Sequence, residues 1–234
     1  MAATDAPPNR DALETISKQF ENSSPEQILR WAASTYGSRL SLATAFGAEG
    51  CALLGMLSQI PNEAYVFNLD TGYQFRETLE LRERIDDKYG ITVHYVRSEE
   101  TVSQMEERFG GPIYGTDPNL CCHIRKVVPL RKVVAGFDAW ISAIRRDQSP
   151  ARANAPIVGW DDKFQLVKIN PLARWTKRDV WEYILANDVP YNPLHDQGYP
   201  SIGCAPCTRA AANSADERDG RWAGTVKTEC GLHI

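Results

Sequence analysis

Apolar and polar positions along this chain follow two distinct periods. Residues 40–45 and 64–68 are short apolar runs, the pattern of strands buried on both faces, and residues 91–96 form a third strand. Between them the period lengthens. Residues 51–59 read as an apolar helix and residues 75–89 as a strongly charged one. Ahead of the first strand, Ser24 precedes Pro25 at a first helical position and Gln27 closes a capping box, so a helix follows over 28–36. Alternating strands and helices are the rhythm of an α/β fold, a Rossmann-like parallel sheet with helices on both faces. In such sheets ligands sit beyond the carboxyl ends of the strands. Two turns fall there: 44–50, which contains Phe46 and Gly47, and 70–72, entered through Leu69 and holding Asp70 and Thr71.

Residues 137–144 and 166–170 are expected as further strands. Residues 176–187 are expected as a helix with Thr176 at its N-cap and Asp179 at its third position. From 189 the period disappears into proline, glycine and turn residues, the texture of a loop tied down by a metal. The expected organisation is a disordered leader over 1–23, a single α/β domain over 24–222, and a mobile tail over 223–234.

Composition narrows the class. Hydrophobic residues make up 43% and charged residues 24%, ordinary for a soluble globular protein. No run approaches the roughly 18–20 apolar residues that cross a bilayer. The start, MAATDAPPNR, lacks the basic-then-apolar order of a secretory signal, so a cytoplasmic location without membrane attachment is expected. A net charge of −4 argues against a nucleic-acid partner. The distribution says more. Residues 1–120 carry a net of −8, whereas 121–152 carry +5. A basic island inside an acidic chain suits a small anionic ligand, and this one begins at a cysteine pair.

There are six cysteines, too many to read as structural disulfides in a reducing compartment. Cys204 and Cys207 form a CxxC turn, which alone fits redox, zinc or iron–sulfur chemistry. Cys121 and Cys122 are adjacent. Neighbouring side chains diverge, so they reach two metals of a cluster more easily than one zinc, which favours a [4Fe–4S] cluster. Cys230 stands apart near the end, where a flexible tail could carry a nucleophilic thiol into a site and out again. Cys51 is expected in the core.

The segments CCHIRK at 121–126, RRDQSPAR at 145–152, GCAPC at 203–207, RDGRW at 218–222 and ECGLH at 229–233 resemble the assimilatory sulfonucleotide reductases, in particular the iron–sulfur form acting on adenosine 5′-phosphosulfate (APS). That resemblance implies an adenine nucleotide α-hydrolase-like fold. It implies cluster ligation by Cys121, Cys122, Cys204 and Cys207, and attack by Cys230 on the sulfur of APS to give S-sulfocysteine and AMP. Thioredoxin, a separate protein, would then release sulfite, serving sulfate assimilation and cysteine biosynthesis. Lys126, Arg218 and Arg221 would grip the phosphosulfate beside Trp222, helped by Arg125, Arg145 and Arg152. Phe46, Gly47, Leu69, Asp70 and Thr71 fall in the adenylyl-binding turns. A homo-oligomer is also implied. Three alternatives stand beside this: reduction of the 3′-phosphorylated nucleotide (PAPS), an ATP-using enzyme of the same fold, and a zinc-stapled binding module. The ATP-using enzyme would carry a loop like SGGxDS, and TAFGAEG at 44–50 is not one.

Overall fold

The computed structural model describes residues 9–211 and 217–233. The chain begins with α1 (Arg10–Gln19) and α2 (Pro25–Tyr36), followed by β1 (Leu40–Thr44), α3 (Ala48–Leu57), β2 (Tyr65–Asp70), α4 (Arg76–Tyr89) and β3 (His94–Arg97). Next come α5 (Val102–Phe109), α6 (Pro118–Cys122), a π-helical turn His123–Val127 and α7 (Val128–Val134). Strands β4 (Ala139–Ile141), β5 (Val158–Asp161) and β6 (Leu166–Ile169) and helix α8 (Lys177–Ala186) complete the regular elements.

The sheet order is β3-β2-β1-β4-β6-β5. Pairings from β3 to β6 are parallel, but β5 joins β6 antiparallel, so the sheet is mixed where a parallel one was expected. Strand β5 escaped detection because its four residues, VGWD, contain a glycine and an acid. Chain order reverses between β1 and β4, the switch point where such sheets open a crevice.

One face packs α1 to α4 and α8 into a large core containing Leu29, Leu54, Leu81 and Ile184. Cys51 belongs there and is fully buried. The other face is thinner: Phe67 and Trp140 meet Val127, Leu130 and Val134. The expected capping box is present at Ser24 with Gln27, and the expected N-cap Thr176 forms a second one with Asp179.

Two expected boundaries change. The leader is ordered from Asn9: Asn9 caps α1, Leu13 is buried, and the Ser17 hydroxyl accepts from the backbone N–H of Ile157 at 3.0 Å. Residues 1–8 lie outside the described residues. The tail is seated rather than loose, with Leu232 against the thinner core and His233 stacked on Trp140. Among the described residues no helix is long and apolar enough to cross a membrane.

Lys168 on β6 is an unusual core cation. Its ammonium lies 5.0 Å from the Trp140 ring centre and 3.8 Å from Asp161. Burial lowers its pKa to about 8, against the support of Asp161. Between that value and the ordinary 10.5 the unfolded chain holds the proton more tightly, so this group makes stability rise with pH across the interval. The Lys168→Met variant should lack that rise. Urea unfolding of both proteins across the interval tests it, and parallel pH profiles would contradict it.

Candidate active site

A cavity of about 210 Å³ opens at the carboxyl ends of β1, β2 and β4. Its floor comes from Thr44, Asn68 and Ala143, and from Gly47 at the start of α3. Phe46, one residue earlier, adopts φ +54 and is fully buried. A non-glycine residue held there is costly and marks a turn shaped by its surroundings. The far wall carries cations and thiols: Lys126, Arg152, Arg218, Arg221, Cys204 and Cys230.

Lys126 stands on the π-helical turn that follows Cys121 and Cys122. Such widened turns recur at functional sites. Burial would lower its pKa, but Cys204, Cys230 and Cys122 outweigh that and raise it. Lys126 thus lies in the field of both the cysteine cluster and the tail thiol. Arg221 crosses directly over Gly203. A Cβ there would meet the guanidinium carbon at 2.4 Å, so glycine is what lets the arginine lie flat. Its Nη1 makes two long contacts, to Ser201 Oγ and Ile202 O at 3.3 Å each. Its Nε is buried without a hydrogen-bond partner among the described residues. A guanidinium on the wall of a cavity, with only long contacts at one nitrogen and an unsatisfied N–H at another, is suited to an oxyanion.

The four paired cysteines come together. Cys121, Cys122, Cys204 and Cys207 line one small cavity walled by Tyr73, Tyr114, Pro118, Pro206 and Trp222. Burial, then the nearby sulfurs of Cys122, Cys204 and Cys207, push the Cys121 thiol up to about 12. For Cys204, burial is outweighed by Lys126, the Thr71 hydroxyl and Arg221, and its pKa falls. The CxxC loop is fixed by bridges from Cys204 to Gln74 and from Thr208 to Arg221. No group of three or more His, Cys, Asp or Glu side chains among the described residues is arranged to hold a single metal ion. Four thiols spaced around one apolar cavity are the donor set of a cysteine-ligated iron–sulfur cluster.

Gly47, Leu69, Thr71, Lys126, Arg152, Arg218, Arg221 and Cys230 therefore share one cavity. Five other candidates do not line it. Phe46 supports the turn from beneath. Asp70 accepts from Arg97 Nε at 2.9 Å and from the Gly72 N–H at 3.1 Å. Arg125 turns away, donating to the carbonyls of Thr71 and Glu100. Trp222 faces the cysteine cavity, with Arg221 stacked 4.6 Å from its ring centre. Arg145 is fully buried and donates to Glu49, Asp147 and Glu217 at 2.6–3.0 Å, so its guanidinium is engaged by three carboxylates. Arg152 and Arg218 do line the cavity, but both donate to Glu229. Glu49, Glu217, Glu229 and His195 were not foreseen. Local signals existed for three of them: Glu49 lies in the 44–50 turn, Glu217 precedes Arg218, and Glu229 precedes Cys230.

Substituting Arg145→Met would remove the guanidinium that Glu49, Asp147 and Glu217 share, leaving Lys177, 3.9 Å from Glu217, as a cation beside the three carboxylates. We expect a loss of about 2–3 kcal/mol in unfolding free energy, below the range for a fully buried pair because the partners reach solvent. Urea unfolding measures it, and a change within about 0.5 kcal/mol, ordinary for a surface site, would contradict the pairing.

The profile of the phosphoadenosine phosphosulfate reductase domain family matches residues 39–210. The chain belongs to this family. Relatives of the reductase domain extend the match at both ends. Adenosine 5′-phosphosulfate reductase 2 of Bacillus subtilis is 46% identical over 223 residues, 94% of each chain. Adenosine 5′-phosphosulfate reductase of Geobacillus thermodenitrificans is 44% identical over 230 residues, covering 96% of this chain and 98% of that one. Among solved structures, phosphoadenylyl-sulfate reductase from Candida auris, in complex with phosphate, superposes with a TM-score of 0.75 at 28% identity. It covers 89% of this chain and 99% of its own. The Candida auris reductase thus shares the overall fold of this chain.

Proposed function

We propose that this chain reduces APS to sulfite and AMP with thioredoxin as electron donor, through an S-sulfocysteine on Cys230. One observation carries this most: Cys230 enters the switch-point cavity beside Lys126 and Arg221. The adenosine moiety lies over the β1 and β2 turns, and the phosphosulfate points to the cations. The Cys230 thiolate attacks the sulfate sulfur, the bond from sulfur to the bridging oxygen breaks, and AMP leaves with the electron pair. Lys126 and Arg221 offset the repulsion between a thiolate and an anionic substrate and stabilise charge gathering on the leaving phosphate. A thioredoxin thiolate then attacks Cys230 Sγ and expels sulfite, and the second thioredoxin thiol resolves the mixed disulfide. Two electrons from the dithiol reduce sulfur from the sulfate to the sulfite level.

Cys121, Cys122, Cys204 and Cys207 hold a [4Fe–4S] cluster, which when bound supplies a fixed electrostatic neighbour to Lys126 and ties down the CxxC loop. The cysteine cavity suits it in donor chemistry and in its apolar wall. Glu49 and Glu217 favour APS over PAPS: both line the nucleotide cavity and share the single Arg145 guanidinium with Asp147, an excess of carboxylate that opposes a second phosphate. Comparing kcat/KM for the two nucleotides with thioredoxin tests the proposal. APS should be preferred by about tenfold or more, a difference of ~1.4 kcal/mol in transition-state stabilisation. Equal or better use of PAPS would contradict it.

A further inference from the structure

Glu229 directly precedes Cys230, and its carboxylate is gripped by two guanidinium groups. It accepts from Arg152 Nε at 3.0 Å and Nη2 at 2.8 Å, a two-pronged contact, and from Arg218 Nη2 at 3.1 Å. The side chains of Glu229, Arg152 and Arg218 are only 7%, 8% and 15% exposed. Arg218 Nη2 also donates to the carbonyl of Thr228 at 3.0 Å, so the backbone just before the thiol is held as well. Charge-assisted bonds shielded from water are strong, and opening this one would take from the buried Arg152 guanidinium its carboxylate partner. Other tail anchors lie on both sides of the thiol: before it Lys227 donates to Asn119 Oδ1, and beyond it Lys163 donates to the Gly231 carbonyl, Leu232 packs on the thinner core, and His233 stacks on Trp140.

Four cations face the cavity, and the tail divides them. Two engage Glu229. The other two are Lys126, in the field of Cys204 and Cys230, and Arg221, whose Nε has no partner among the described residues. We propose that Glu229 is a positioning residue, clamped by Arg152 and Arg218 to set Cys230 in the cavity and leave Lys126 and Arg221 to the substrate anion. This rests on the reading of Cys230 as the nucleophile. It gives Arg152 and Arg218 a different task from a direct grip on the phosphosulfate. The difference is measurable. If the clamp positions the thiol, removing the Glu229 charge slows attack without changing nucleotide affinity. If Arg152 and Arg218 instead grip substrate and Glu229 merely occupies them, removing the charge tightens APS binding.

The variant is Glu229→Gln in the full chain with its metal centre loaded, with Glu229→Asp as a graded second variant that keeps the charge one methylene further back. Three quantities are read: the single-turnover rate of Cys230 sulfonation by APS, the affinity for AMP, and the rate of Cys230 alkylation by iodoacetamide. Alkylation is taken at its high-pH plateau, so that access is separated from thiol acidity. In Glu229→Gln, sulfonation should slow by about 10–100-fold, the equivalent of one charge-assisted hydrogen bond. Plateau alkylation should rise about tenfold, and AMP affinity should stay within about twofold. Glu229→Asp should fall between wild type and Glu229→Gln. Unchanged alkylation, unchanged sulfonation or tighter AMP binding would overturn the clamp. Failure of the underlying reading looks different: wild type would then form no sulfonate on Cys230, whatever the alkylation rates show.

Discussion

With Cys230 replaced by serine, turnover of APS should fall by about 10⁴-fold or more, ~5.4 kcal/mol of transition-state stabilisation. Serine matches cysteine in shape, so the docked tail and the Glu229 contacts persist. What disappears is a thiolate. A hydroxyl is un-ionised at neutral pH and a weak nucleophile unless a base activates it. The second step fails as well, because thiol exchange needs a sulfur on the enzyme for thioredoxin to attack. The half-buried thiol lies on the wall of the cavity with Lys126 and Arg221. Cys51 is sealed in the core, Cys121, Cys122 and Cys207 line only the second cavity, and Cys204, which lines both, is committed to the cluster in the proposed reading. Steady-state turnover with thioredoxin measures this, and a loss of tenfold or less would place the chemistry on another residue.

The second large effect should come from Arg221→Lys, at about 10²–10³-fold in kcat, the size seen when one donor to a developing oxyanion is removed. The substitution keeps the positive charge, so a role in bulk electrostatics predicts almost no loss. The geometry predicts otherwise. Arg221 lies over Gly203 and against the Trp222 ring, which holds its plane still, and its Nε is buried and unpaired. A lysine has neither the fork nor the stacking surface. Its ammonium would also be left to move in the space the guanidinium filled. The loss should appear mainly in kcat, because the contact tightens as charge moves to the leaving phosphate. A kcat within about threefold of wild type would remove Arg221 from the reacting centre.

The parts of this fold that were legible in the sequence rest on local physics. The capping box at Ser24 and the N-cap at Thr176 are set by three-residue spacing, and they are where they were expected. The central strands β1 and β2 are apolar on both faces and stood out for that reason. Edge elements were harder to see. Strand β3 begins at His94 rather than 91 and is mostly exposed, so its pattern carries little period. Helix α1 looked like part of a polar leader because only Leu13 and Ser17 are buried against the sheet.

The site divides along the same line. Cysteine spacing was enough to group four sulfurs and set Cys230 apart. Charge alone could not say which basic residue reaches the cavity. Arg125 and Lys126 are adjacent in sequence, but successive helical residues point in different directions: both border the cysteine cavity, only Lys126 also lines the nucleotide cavity, and Arg125 ties Thr71 to Glu100. Arg145 sits in the same basic segment as Arg152. Its fate was decided by Glu49 and Glu217, which come from residues 96 and 72 positions away in the chain. No local pattern encodes a contact of that kind. The docked tail belongs to the same class: Glu229 finds Arg152 across 77 residues.

The most direct test of Cys230 as the sulfur-accepting nucleophile is incubation of the protein with labelled APS and no reductant, followed by peptide mass spectrometry. A sulfonate on Cys230, formed together with one equivalent of AMP and released as sulfite on adding thioredoxin, is the expected result. A sulfonate on any other residue, or AMP formation without any sulfonated peptide, would contradict it.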